Sequence, residues 1–348
     1  MRLQPPRLLA TTLAVTLALA GALLGSTGRA AAAPPSPDAR SEHQRIVDFW
    51  TPDRIAQAVP RDFVRDPATG RFSLQPNRAP GSTTTSTGVL GAVWTSGGLV
   101  QTTTGKVFFA MGTSYYVCSG SVVKDADTST SVVLTAGHCA WDNSTATDPA
   151  QHWAKNWMFI PDYADKPATL TADGSFCAST AYGCWTAQAL TVDQAFTQQT
   201  SYNTTATLND FAFATVGPGG LGGTSQLDTK VGAQAISFSS PVPSGTRVDL
   251  FGYPAAKKYN GSQLIYSEGP LGTDPNNGNL TYRVASSMTG GSSGGPWFAP
   301  FSAGVGTLMS LNSYGYAGQS YMQGPMFTNK TQSLYTDAQG ATANHIVP

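Results

Sequence analysis

Charge is what this chain has least of. Only 11% of its 348 residues are Asp, Glu, Lys or Arg, against about 25% in an average soluble protein. The 20 basic and 20 acidic residues cancel. With no basic run, an electrostatic nucleic-acid partner is excluded. Histidine occurs four times and cysteine four times. The cysteines have no histidine near them other than His138, so their spacing suits no zinc site and no metal is expected. Beyond the first thirty residues no apolar run is long enough to cross a bilayer. What fills the sequence instead is Gly, Ser, Thr, Asn and Tyr, with 37 glycines and 23 prolines. Such a composition suits a turn-rich β protein that works outside the cell.

The N-terminal stretch agrees with export. Arg2 and Arg7 precede an uncharged, largely apolar run from Leu8 to Leu24, and Arg29-Ala30-Ala31-Ala32-Ala33 offers small residues for cleavage. Residues 1–32 read as a secretory signal peptide, cut after Ala31 or Ala32 because Pro34 disfavours a later cut. An exported chain with an even number of cysteines is expected to form disulfides. Three connectivities are open for Cys118, Cys139, Cys177 and Cys184; the favoured one joins Cys118 to Cys139 and Cys177 to Cys184.

Residues 33–87 differ from the rest of the chain, with more Pro, Arg and Asp. Thr51-Pro52-Asp53-Arg54 predicts a helix start, with Thr51 as cap and Pro52 in the first turn, and Val59-Pro60 stops it. Gly81 to Gly88 is a polar, low-complexity link. This layout is that of a pro-segment and linker ahead of the main domain, 88–348. From Gly88 onward, short β signals alternate with turn signals, among them Lys106–Met111, Tyr115–Val123, Ser131–Thr135, Asn209–Val216, Ala233–Ser239, Arg247–Tyr253 and Gly304–Leu311. The pattern predicts an all-β sandwich or a pair of barrels.

Two motifs carry the chemistry. Thr135-Ala136-Gly137-His138-Cys139 places a histidine at the end of an apolar strand. Gly290-Gly291-Ser292-Ser293-Gly294-Gly295-Pro296 places a serine in a glycine-rich turn. A hydroxyl to attack and an imidazole to take its proton are what nucleophilic acyl transfer needs. The N–H groups of Gly291 and Ser293 are expected to form an oxyanion hole, each donor contributing about 2.7–4 kcal/mol at the transition state. Asp210, opening Asp210-Phe211-Ala212-Phe213-Ala214, is the candidate for the carboxylate that orients His138; Asp193 ranks next and Asp249 third.

With those residues in view, the chain resembles the chymotrypsin-like serine peptidases over residues 88–329. The order His138, Asp210, Ser293 is that family's, and Cys118-Ser119-Gly120-Ser121-Val122-Val123 resembles its strand whose cysteine bonds the one after the catalytic histidine. Phe251-Gly252-Tyr253-Pro254 and the paired glycines before Ser292 look closest to the bacterial glutamyl-endopeptidase-like branch. The resemblance implies two antiparallel Greek-key β-barrels with the cleft between them, His138 and Asp210 from the first and Ser293 from the second. It implies a secreted, monomeric endopeptidase acting on protein or peptide substrates without a cofactor, and no membrane attachment once the signal is cut. Three positions depart from the pattern. Ser292 stands where digestive members carry aspartate before the nucleophile. Ser287, followed by Met288, stands where trypsin-like members carry the aspartate that reads Lys and Arg. Gly306–Ser310 lacks the histidine that glutamyl endopeptidases place there. Ser287 and Met288 as pocket residues imply a preference for uncharged side chains before the cut. The rival readings are a catalytically silent binding domain on the same fold, and a non-peptidase acyl hydrolase. The latter class keeps its serine in a Gly-x-Ser-x-Gly elbow, with histidine last in the chain.

Overall fold

A computed structural model describes residues 1, 37–77, 81, 87–144, 148–163 and 176–348. Beyond Met1, the expected signal peptide and most of the Gly81–Gly88 link lie outside the described residues. The compact unit described here runs from Pro34 to Pro348. Among the described residues no helix is long and apolar enough to cross a membrane.

The architecture is all-β. Six strands close a barrel in the order Ser114–Val123, Thr104–Met111, Lys155–Pro161, Trp185–Asp193, Ala212–Val216 and Ser131–Thr135, the last pairing back with the first. Valine-rich and aromatic sequence suits these positions because the strands are buried along most of their length. Thr104–Met111, Ser131–Thr135 and Ala212–Val216 are buried at every residue. The second half holds two six-stranded sheets. One contains Arg247–Gly252, Ile265–Pro270, Pro296–Ser302 and Val305–Leu311; the other contains Tyr282–Ala285, Tyr314–Tyr316 and Tyr321–Gly324. The two sheets face one another across a core of Val248, Leu250, Ile265, Trp297 and Met309 from the first and Tyr282, Val284 and Met322 from the second. Hence the first barrel is closed by strand pairing, while the sheets of the second half meet through side-chain packing and a few hydrogen bonds, such as Ser267 Oγ with Ser286 Oγ at 2.8 Å.

Chain order and spatial order part company at three places. Val89–Val93 precedes the first barrel in sequence but pairs with Ile265–Pro270 in the second half. His345–Val347, the last strand, returns to the first barrel and lies parallel to Trp185–Asp193. The region ahead of the link is folded against the rest. Pro37–Phe49 forms a helix whose Ile46 and Val47, with Trp50 after it, join the core of the first barrel. The predicted helix spans Pro52–Gln57, with Thr51 as its N-cap. Val59–Pro60 and Phe63–Arg65 then add strands to the sheets of the two halves.

Candidate active site

His138 sits on a single 3-10 turn, Gly137–Cys139, where the buried strand Ser131–Thr135 ends. Gly137 is needed for close packing. A Cβ there would lie 3.2 Å from Asp210 Oδ1 and 3.3 Å from the Phe196 ring. The turn is tied to the neighbouring strand by the Cys118–Cys139 disulfide, with the Cα atoms 6.4 Å apart. The other pair joined is Cys177–Cys184. The Sγ atoms of Cys118 and Cys139 lie close to His138, but a bonded disulfide has no thiolate with which to ligate a metal.

Asp210 lies between the short helix Thr204–Leu208 and the strand Ala212–Val216. It is wholly buried, and every bond it accepts serves to aim it. His138 donates its backbone N–H to Oδ1 at 2.9 Å. His138 Nδ1 meets Oδ2 at 2.8 Å. Tyr202 and Ser313 donate their hydroxyls to Oδ2 at 2.7 and 2.6 Å. Burial alone would push this carboxyl up. The charge of His138 and the hydrogen bonds from His138, Ser313 and Tyr202 outweigh that and hold it below the usual carboxylate range. The same burial, reinforced by the Asp210 charge, pushes the Tyr202 phenol well up, so it stays a donor. A carboxylate held in this way fixes the imidazole's tautomer and leaves Nε2 as its acceptor nitrogen.

Ser293 is carried by a loop whose carbonyls are all engaged elsewhere. Gly290 O accepts from Ala255 N at 2.7 Å and Ser293 O from Ser119 N at 2.7 Å. Gly291 O accepts from Ser119 Oγ at 2.9 Å, and Ser292 O from Asn312 Nδ2 at 3.0 Å. None of these bonds uses the amide groups of Gly291 and Ser293, the expected oxyanion donors. Gly291 reaches its backbone conformation at φ +96°, and Gly294 at φ +82°, where a Cβ would strike Ser119 O and Thr135 Oγ1. Ser119 knits the two halves together here. Its carbonyl accepts from Thr135 Oγ1 at 2.8 Å, beside the histidine, while its amide and hydroxyl hold the serine loop.

The Ser293–His138 hydrogen bond is not made. Ser293 Oγ donates instead to the carbonyl of Arg61 at 3.5 Å. His138 Nε2, buried, has no hydrogen-bond partner among the described residues. Both residues are almost inaccessible, at 3% and 0% exposure.

Of the other candidates, Asp193 lies away from this cluster. It caps the helix Gln194–Thr197 and pairs with Lys330 Nζ at 3.0 Å. Asp249 stands on Arg247–Gly252, and burial pushes its carboxyl up to about 6. Ser287 directs its hydroxyl to Leu90 O at 2.6 Å and meets the Tyr259 hydroxyl at 2.9 Å. Met288 packs into the core of the second half. Sequence reasoning missed Ser119, Tyr202 and Ser313. Tyr202 and Ser313 are single polar residues in a Ser- and Tyr-rich chain that no motif marks, and Ser119 lies in a motif singled out for its cysteine alone.

Comparison with known proteins places this chain in a family. A model of the trypsin-like peptidase domain matches residues 118–304, more than half of the chain. Among solved structures, the protease Anisep from Arthrobacter nicotinovorans is 36% identical, covers 69% of this chain and 96% of its own, and superposes with a TM-score of 0.55. A thermostable serine protease, AL20, from an extremophilic microorganism is 32% identical, covers 70% and 99%, and gives 0.56. A Glu endopeptidase shares the fold at 15% identity and a TM-score of 0.51, over 73% of this chain and 98% of its own. No curated protein sequence matches. A family model spanning both motifs and close to full coverage of solved proteases agree, and the chain belongs to the trypsin-like serine peptidases.

Proposed function

We propose that this chain is a secreted serine endopeptidase with Ser293, His138 and Asp210 as its triad. The observation that carries the reading is Asp210, wholly buried and bonded to His138 Nδ1 at 2.8 Å, with the Ser293 carbonyl 4.0 Å from Sγ of Cys139, the residue after that histidine. Once Ser293 Oγ swings to His138 Nε2, the imidazole takes its proton as the oxygen attacks a peptide carbonyl. The Gly291 and Ser293 amides receive the developing oxyanion. His138 then protonates the leaving amine, and a water activated by the same imidazole hydrolyses the acyl-enzyme. No step calls for a metal or cofactor. Residues 1–32 direct export, 33–87 act as a pro-segment and link, and the mature protein works as a monomer outside the membrane. Two neutral partners, Leu90 O and the Tyr259 hydroxyl, surround the Ser287 hydroxyl. They supply no charge opposite to Lys, Arg or Glu, and burying an unpaired charge costs several kcal/mol, so an uncharged residue before the cut is preferred.

Gel zymography of the exported protein beside an esterase assay, with a fluorophosphonate as active-site label, tests this. One label on Ser293, and no protein clearing by Ser293→Ala, is the expected result. Labelling elsewhere, or ester turnover with no proteolysis, refutes it. A peptide library varied at the residue before the cut reads the preference, and a dominant choice of Lys and Arg or of Glu and Asp overturns that part.

A further inference from the structure

Residues 59–65 run through the candidate active site. Val59–Pro60 pairs in parallel with Tyr116 and Val117 of the first barrel, and Phe63–Arg65 pairs in parallel with Tyr314–Tyr316 of the second half. Arg61 and Asp62 therefore cross between the halves at the level of Ser293. Pro60 and Asp62 fill the space over Gly290, where a Cβ would come within 2.8 and 2.7 Å of them. Phe63 stands edge-on to the His138 ring at 5.4 Å and lies flat on Tyr202 at 4.1 Å.

Arg61 makes the closest connections. Its guanidinium donates from Nε to His138 O at 2.8 Å and from Nη2 to Asp142 Oδ1 at 2.7 Å. It lies over the Tyr116 ring at 5.2 Å and the Phe63 ring at 5.5 Å. The Arg61 side chain is 4% exposed. A guanidinium this deep is stabilised by what surrounds it, here an anion, a second acceptor and an aromatic face. Those three, Asp142, His138 O and Tyr116, belong to residues 88–348, so the seat is offered by the part of the chain that carries His138 and Ser293. Meanwhile the Arg61 carbonyl oxygen, not its carbon, faces the Ser293 hydroxyl. That hydrogen bond keeps the proton of Oγ away from His138 Nε2, the base that must take it.

We propose that Asp142, the His138 carbonyl and the Tyr116 ring form a guanidinium-binding subsite beside the catalytic histidine, and that Arg61 occupies it so that residues 59–65 shut the chain's own active site. The subsite's ligand is an arginine side chain of an extended peptide, here supplied in cis. The proposal rests on the triad reading above, and its test is read first on His138, whose chemical modification needs access but no catalysis.

Full-length protein is treated with diethyl pyrocarbonate, and carbethoxylation of each histidine is followed by mass spectrometry. A fluorophosphonate reports Ser293 in parallel. His43, also buried and bonded to Thr186 at 3.1 Å, reports general loosening. In wild type and in Arg71→Ala, an exposed change in the same region, His138 reacts slowly. In Arg61→Ala and in Asp142→Asn it reacts about tenfold faster or more, the effect of losing a charge-assisted bond, while His43 is unchanged. The double variant reacts no faster than Arg61→Ala, because both changes remove one interaction. Equal His138 rates in all chains, additive effects in the double variant, or a parallel rise at His43 each overturn the proposal. Faster His138 modification without Ser293 labelling sustains the subsite and refutes the catalytic reading.

Discussion

Replacing Ser313 by alanine removes one oxygen and leaves the chain's chemistry otherwise intact, which makes it a sharp test of how Asp210 is held. Oδ2 of Asp210 accepts from Ser313 at 2.6 Å, from Tyr202 at 2.7 Å and from His138 Nδ1 at 2.8 Å. A hydrogen bond to a buried charge contributes about 1.5–3 kcal/mol. Each kcal/mol moves the melting temperature of a chain this large by about 2–4 °C, so Ser313→Ala should melt roughly 3–12 °C lower. The sign of the pH effect follows from the depressed carboxyl. Asp210 ionises more easily folded than unfolded, so it stabilises the fold above the unfolded value of about 3.9 and loses that contribution as pH falls through its folded value. With one donor gone the folded value rises. The acid limb of both stability and kcat/KM should then move to higher pH, kcat should fall about tenfold, or about 1.4 kcal/mol, and KM should hold. Differential scanning calorimetry and a pH–rate profile on a chromogenic peptide measure these. A Ser313→Ala protein with wild-type melting, turnover and acid limb would show that Tyr202 and His138 alone fix Asp210, and the positioning argument would fail.

The two aspartates should separate cleanly. Asp210→Asn should lower kcat by about 10⁴, whereas Asp193→Asn should keep its turnover and its helix cap, since asparagine caps as well as aspartate, and lose only the charge that pairs with Lys330. Asp249 behaves oppositely to Asp210 in pH. With burial pushing its carboxyl up to about 6, ionisation works against the fold as pH rises from about 4 towards 6. Asp249→Asn should therefore melt higher than wild type at pH 7.5, by up to about 2–3 kcal/mol, with a smaller difference at pH 4.5; a constant difference across that range refutes the assignment. Cys177 and Cys184 close a loop of sequence separation 7, so changing both to serine should cost about 2 kcal/mol in thermal unfolding. No loss would mean that the unfolded chain is not loosened by opening that loop.

The motifs around His138 and Ser293 were legible because their geometry is encoded locally. Positive φ at Gly291 and Gly294 admits glycine readily, and the space beside Gly137 admits no side chain without displacement. Asp210 was legible from its apolar followers, which end up buried in Ala212–Val216. Strands such as Lys155–Pro161 and Trp185–Asp193 were harder to read. Burial on both faces erases the polar alternation by which a strand is recognised. Ala233–Ser239 shrinks to Ala235–Ile236, a two-residue parallel pairing with Thr307 and Leu308. The role of residues 59–65 was hidden for a different reason. Val59-Pro60 signals the end of a helix, and nothing local announces a pairing with strands some 60 and 250 residues away.

The interlacing of the two halves bears on how such a chain can be made. The second half takes Val89–Val93 from ahead of the first barrel, and the first barrel takes His345–Val347 from behind the second half. During synthesis, then, residues 104–216 leave the ribosome as a barrel still missing an outer strand. Val89–Val93 must wait as an unpaired strand until Ile265–Pro270 exists. Long-range pairings of this kind form late and leave apolar edges open in the meantime. A helper that covers waiting edges, or an ordered N-terminal region that packs on the first barrel as Ile46, Val47 and Trp50 do, shortens the exposed interval. Residues 37–65 are thus placed to assist assembly, since they are synthesised before either half that they touch.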